Sequence, residues 1–98
     1  MKRMYIVVRS DIAPGLQIAQ ACHAAREFTL RCTEDVVENL VVLQASKEQL
    51  EQLVALADGR CAVVPFHEPD LDGEITAAAF GLGAKKLLST YPLALRAA

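Results

Sequence analysis

The sequence predicts a three-layer α/β/α domain built on a four-stranded mixed β-sheet. Three observations carry that expectation. The chain has 98 residues, enough for one core and too few for two. β-branched apolar runs alternate with Ala- and Leu-rich segments in the order βαβαββα, which calls for helices layered on a sheet. Apolar residues make up 53% of the chain and charged ones 22%. So apolar a composition in so short a chain asks for a sheet buried on both faces, or for apolar surface that closes a homodimer.

The elements follow in order. Met4 to Arg9 is nearly continuous in apolar, β-branched residues, as expected of a central strand. Ser10 to Gly15 is a loop turned by Pro14-Gly15. From Leu16 to about Cys32 the chain has frequent Ala and no Pro or Gly, so it is helical. Thr33 to Asn39 is a polar connection to a second strand, Leu40 to Ala45. Ser46-Lys-Glu-Gln49 is a capping box opening a helix that runs to Asp58 and stops at Gly59. Arg60 to Phe66 is the third strand, placed near a sheet edge by Pro65. His67 to Glu74 is an acidic loop, and Ile75 to Gly81 a small-residue fourth strand. Gly81-Leu-Gly83 ends it before a short helix and tail, Ala84 to Leu95. Helix crossovers make neighbouring strands parallel, whereas the short link between the third and fourth strands requires one antiparallel pair.

Charge and cysteine content narrow the function classes. A net charge of −2 provides no general basic field for nucleic acid, although Lys2, Arg3, Arg9, Arg26 and Arg31 could share a face. Cys22, Cys32 and Cys61 are an odd set without CxxC spacing, the pattern of reduced, mostly buried thiols in a cytoplasmic protein. No apolar run is long enough to span a membrane, and Met4 to Val8 is too short for a secretion signal. Neither cofactor nor metal is expected.

The first helix holds the chief candidate site. Gln20, His23, Glu27 and Arg31 recur at spacings of three and four and should form one polar stripe, with Ile18, Ala21, Cys22, Ala25 and Phe28 mainly toward the sheet. His23 is then either a solvated residue of that stripe or a base. Its helix starts at the carboxyl end of a buried strand, where open α/β sheets place ligands. The first helical turn offers free N–H groups to an anion. Gln20 adds an amide one turn before His23. His67 beside Glu68 is a second candidate, since a carboxylate can fix an imidazole tautomer, but a solvated acidic hairpin suits that stretch better. The Asp70-x-Asp72-Gly fragment lacks the rest of a calcium loop. No dinucleotide fingerprint, phosphate loop, nucleophile elbow or HExxH helix occurs.

The strand MYIVVRSD, then Gly15 and the run IAQACHAA, resembles the archaeal and eukaryotic-type peptidyl-tRNA hydrolases. In that family a strand ending R-x-D leads into a G-K-x-A-A-Q-x-x-H-A helix, matched in register by Gly15, Ala19, Gln20, His23 and Ala24. The run NLVVLQASKEQLEQLVALA is similar to the family's second strand and helix, and Thr76 with Gly81 to its T-x-x-x-x-G. Two positions depart: Leu16 stands where the family has lysine, and its D-x-G-x-T acid falls on Glu68 or Asp70. The resemblance implies a metal-free ester hydrolase with His23 as general base and Glu68 orienting its imidazole. It further implies Gln20 and the amides after Gly15 on the oxyanion, Thr76 on the substrate, and Gly15, Leu16, Asp11 and Asp70 along the acceptor end of peptidyl-tRNA. It supports a homodimer. The rival expectation is a non-catalytic member of the same fold that binds a small ligand or a protein, with His23 idle.

Overall fold

The computed structural model describes residues 3–32, 37, 39–81 and 83–95. The expected polar connection from Thr33 to Asn39 lies outside them except for Val37 and Asn39, and Lys2 and Leu82 lie outside as well. The elements are β1 (Arg3–Arg9), α1 (Pro14–Arg31), β2 (Asn39–Ala45), α2 (Lys47–Ala57), β3 (Val63–Glu68), a 3₁₀ turn at Pro69–Leu71, β4 (Glu74–Phe80) and α3 (Lys85–Leu88). The expected order is present, and the four strands form one mixed sheet in the order β2-β1-β4-β3.

β1 is central. It pairs in parallel with β2 from Arg3↔Asn39 to Arg9↔Ala45, and antiparallel with β4 from Tyr5↔Phe80 to Val8↔Ala77. β4 therefore sits between β1 and β3, which makes two antiparallel pairs where one was expected, and leaves Pro65 on an edge strand. Alternation along β1 feeds two cores. Met4, Ile6 and Val8 pack with Ala24 and Phe28 of α1, while Tyr5 and Val7 pack with Leu50 and Leu53 of α2. One helix layer lies on each face, the first of the two outcomes that the composition allowed.

Local chemistry accounts for the boundaries. Ser46 accepts from the Gln49 N–H and the Gln49 side chain returns to Ser46, so the capping box forms as expected. Gly59, at φ 79°, turns the chain past α2, and the Arg60 and Cys61 amides both bond back to Ala57. That turn consumes Arg60 and Cys61, so β3 begins at Val63, later than expected, and runs on to Glu68. Gly81 fits where a Cβ would meet Phe28 at 3.0 Å and Ala62 at 3.3 Å. After α3 the chain returns along the outer edge of β2, with the Gln44 amide on Pro92 and the Ala94 amide on Val42, both at 2.9 Å. The tail thereby covers an edge that would otherwise present unpaired amides.

Two expectations about α1 and the thiols need correction. Ile18 and Cys22 do not face the sheet but are exposed; the buried stripe is Gln17, Gln20, Ala21, Ala24 and Phe28. Of the three free cysteines, Cys22 is exposed and Cys32 and Cys61 are half-buried, with burial pushing the Cys61 thiol upward. The assumption that polar residues point outward misplaced this helix by nearly a quarter of a turn, at about 100° per residue.

Candidate functional site

The site is assembled from α1, β3 and β4. α1 packs over β1, β4 and β3. Along β3, alternation directs Phe66 and Glu68 to the α1 face, and His67 to the other. In β4 the register slips: Phe66 pairs with Ala77 but His67 pairs with Ile75, so Thr76 is an extra, unpaired residue, a β-bulge. Ile75 packs in the α2 core and Ala77 in the α1 core, and the bulge lets Thr76 share the α1 side with Ala77.

That bulge completes a buried polar chain. The Thr76 hydroxyl donates to Gln20 Oε1 at 2.7 Å, and Gln20 Nε2 donates to Glu68 Oε2 at 3.0 Å. Thr76 is 0% and Gln20 2% exposed, so each depends on these partners. The other Glu68 oxygen, Oε1, accepts from the Asp70 N–H at 3.3 Å and so caps the 3₁₀ turn. Between the alternatives Glu68 and Asp70, Glu68 is the acid that reaches α1, whereas Asp70 sits exposed at the hairpin tip.

His23 lies one turn beyond Gln20 and is exposed. Its ring stacks on Phe66 with centroids 4.7 Å apart and an interplanar angle of 7°. Among the described residues none hydrogen-bonds to its nitrogens, so ring stacking, not Glu68, orients it. His67 is separate: its Nδ1 lies 3.0 Å from the Gly73 carbonyl on the far face of the hairpin. Glu27, one turn after His23, pairs with Arg31 at 3.4 Å and Arg26 at 3.7 Å.

At the mouth of β1, the Arg9 side chain is buried yet fully engaged. Nε and Nη2 grip Asp11 at 2.9 and 2.7 Å, and Nη1 reaches Glu74 at 3.1 Å and the Ile75 carbonyl at 3.2 Å. Lys47 adds a 2.8 Å pair to Glu74. The Arg9 fork holds the Asp11 carboxyl below its usual range, and Lys47 followed by Arg9 does the same for Glu74. Asp11 is thereby committed to tying the β1–α1 loop to β4. Gly15 and Leu16 are exposed in the first turn of α1, whose N-cap, Ala13, supplies no side-chain acceptor. These amides precede His23 by seven to eight residues, about 10–12 Å along the axis. They and Gln20 do not converge on one oxyanion.

Composition and spacing could not reveal Phe66, Lys47 or Glu74 as members of these networks, since Phe66 and Glu74 join through sheet register and Lys47 from the start of α2. Among the described residues there is no cluster of His, Cys, Asp or Glu suited to a metal ion, and no helix is long and apolar enough to cross a membrane.

No family model matches the chain, and no curated protein matches it. Among solved structures it is similar to a protein of unknown function, Atu0240, from Agrobacterium tumefaciens strain C58. The TM-score is 0.76 at 11% identity, over 94% of this chain and 96% of that one. At that identity the likeness establishes the α/β fold and nothing of the chemistry.

Proposed function

We propose that the protein is an ester hydrolase of the peptidyl-tRNA hydrolase type, acting on the bond between a peptide and the 3′ ribose of tRNA. The observation that supports this reading is the Thr76–Gln20–Glu68 chain, built through a β-bulge, beneath an exposed imidazole held flat on Phe66. His23 takes a proton from water as the oxygen attacks the carbonyl carbon. It returns that proton to the ribose oxygen as the tetrahedral intermediate collapses. Such a base contributes about 10²–10⁴-fold. Gln20 is a positioning residue that locks α1 to β3 and β4 at the level of His23. The open amides around Gly15 suit a phosphate of the acceptor strand. A homodimer and a cytoplasmic setting belong to the same proposal.

Two observations favour a second reading, a non-catalytic binder on the same fold. Leu16 leaves the first turn without a cation, and Glu68 is spent on Gln20 rather than on the imidazole. Release of labelled peptide from peptidyl-tRNA separates the two. The hydrolase reading expects release by the wild type, loss of it in His23→Ala at an unchanged melting temperature, and a gain in Leu16→Lys. No release by either the wild type or Leu16→Lys selects the binder.

A further inference from the structure

β1 and β2 are neighbouring parallel strands, and the chain leaves their carboxyl ends toward opposite faces of the sheet. From Arg9 it passes into α1, which packs on Met4, Ile6 and Val8; from Ala45 it passes into α2, which packs on Tyr5 and Val7. Where the connections of two adjacent parallel strands part in this way, a crevice opens between the exits, and open α/β sheets bind their ligands there. His23 lies elsewhere, against Phe66 of β3 on the other flank of the sheet, so the inference does not rest on the hydrolase reading.

The crevice is present. At the strand ends the Ser10 amide donates to the Ala45 carbonyl at 2.9 Å, and the Ser10 hydroxyl lies 3.4 Å from the same oxygen. Beside them is a cleft of about 410 Å³, bounded on its tail side by Thr90, Tyr91 and Pro92. Small-molecule sites usually measure about 300–1,000 Å³. The tail is tied in place where the Gln44 amide meets the Pro92 carbonyl at 2.9 Å.

The lining selects the kind of ligand. It consists of hydroxyls and carboxamides with no charged side chain, and Lys47, the next residue along α2, is held by Glu74 at 2.8 Å. An ion entering here would lose water without gaining a counter-charge. The capping box uses Ser46 Oγ and Gln49 Oε1 as acceptors, which leaves the Ser46 hydroxyl proton and the Gln49 NH₂ group to donate. Among the described residues, no hydrogen bond takes up the side-chain amide of Gln44 or the hydroxyls of Thr90 and Tyr91, and these both donate and accept. Ala45 and Pro92 add carbon surface.

We propose that this cleft binds a neutral sugar ring through a vicinal diol, either a free pentose or the ribose of a nucleoside. Adjacent hydroxyls each offer one donor and two acceptor positions, which matches a wall of amides and hydroxyls, while the C–H face of the ring lies on Ala45 and Pro92.

The test is an amide-NMR titration of the full chain with adenosine, 2′,3′-dideoxyadenosine and methyl β-D-ribofuranoside. The expected result is saturable shifts at Ser46, Gln49, Thr90 and Tyr91, with the dideoxy compound bound roughly tenfold more weakly than adenosine. Thr90 is exposed, so Thr90→Val should fold as the wild type does and bind adenosine about threefold to tenfold more weakly. A riboside that binds as well as adenosine supports the free sugar as ligand; a preference for adenosine supports the nucleoside. Equal binding of adenosine and its dideoxy analogue would overturn the proposal, as would the absence of shifts at those four amides. Shifts confined to α1 and β3 around His23 would overturn it too, by placing the nucleoside at the other site.

Discussion

Gln17 and Gln20 lie one turn apart on α1, both turned toward the sheet and 6% and 2% exposed, yet they meet different surroundings. The Gln20 amide is used at both ends, by Thr76 and by Glu68. The Gln17 amide is used only at its nitrogen, by the loop carbonyls of Ser10 and Ile12. What lies opposite each side chain makes the difference. On the β3–β4 side a bulge and a hairpin acid supply a donor and an acceptor, whereas on the β2 side Gln17 lies beside the carbon surface of Ile6, Val8 and Val42. The same residue type is a cross-link on one flank of a helix and an unfilled acceptor on the other.

Substitutions can break or sharpen this contrast. The largest effect is expected from Gln20→Ala, which removes a buried side chain and strands the Thr76 hydroxyl; urea unfolding should show a loss of about 2–4 kcal/mol. Gln20→Leu keeps the volume but still orphans Thr76, at a cost of about 1–3 kcal/mol. Adding Thr76→Val should recover much of that loss, with a coupling of about 1–2 kcal/mol; strict additivity of the two changes would show that the hydroxyl and amide do not depend on each other.

A smaller effect concerns the salt-linked mouth of β1. Asp11 and Glu74 both have carboxyls held below their ordinary values of 3.8 and 4.5. Their stabilisation is therefore complete above those values and fades as pH falls through the lower native ones. Both are largely solvated, so the acid decline in melting temperature should be modest, and Asp11→Asn should flatten it from a lower plateau. An unchanged acid profile in Asp11→Asn would remove the Arg9 fork from the stability account. The smallest effect is expected at Gln17→Leu, where lost donor bonds are offset by removal of the buried unpaired carbonyl. Its stability should stay within about 1 kcal/mol of wild type. A loss as large as that of Gln20→Ala would erase the difference between the two glutamines.

Much of the fold was legible because it follows from local pattern. The central strand, the Ser46 capping box, the Gly59 stop and the edge position of Pro65 all rest on short-range chemistry, and each occurs. The placement of β4 between β1 and β3 was less accessible, since strand order depends on the whole sheet. The candidate site was legible as a list and not as a geometry. Gln20 and Thr76 were named as groups acting on substrate and Glu68 as the acid orienting His23; in the structure the three are bonded in one chain. The bulge that turns Thr76 toward α1 is a register event without a Gly or Pro to mark it. Both glutamines were hidden by the habit of turning polar residues outward. The stripe Gln17, Gln20, Ala21, Ala24 and Phe28 at helical spacing was the signal that could have found them.

The most direct test of the functional account is the rate of peptide release from peptidyl-tRNA by wild type and by Phe66→Leu, each measured across pH, beside His23→Ala as the inactive reference. Phe66 holds the imidazole but does not touch the ester, so the account predicts a reduced kcat in Phe66→Leu and no release in His23→Ala. Release by His23→Ala at the wild-type rate would contradict it, and would leave the stacked imidazole as a feature of the surface.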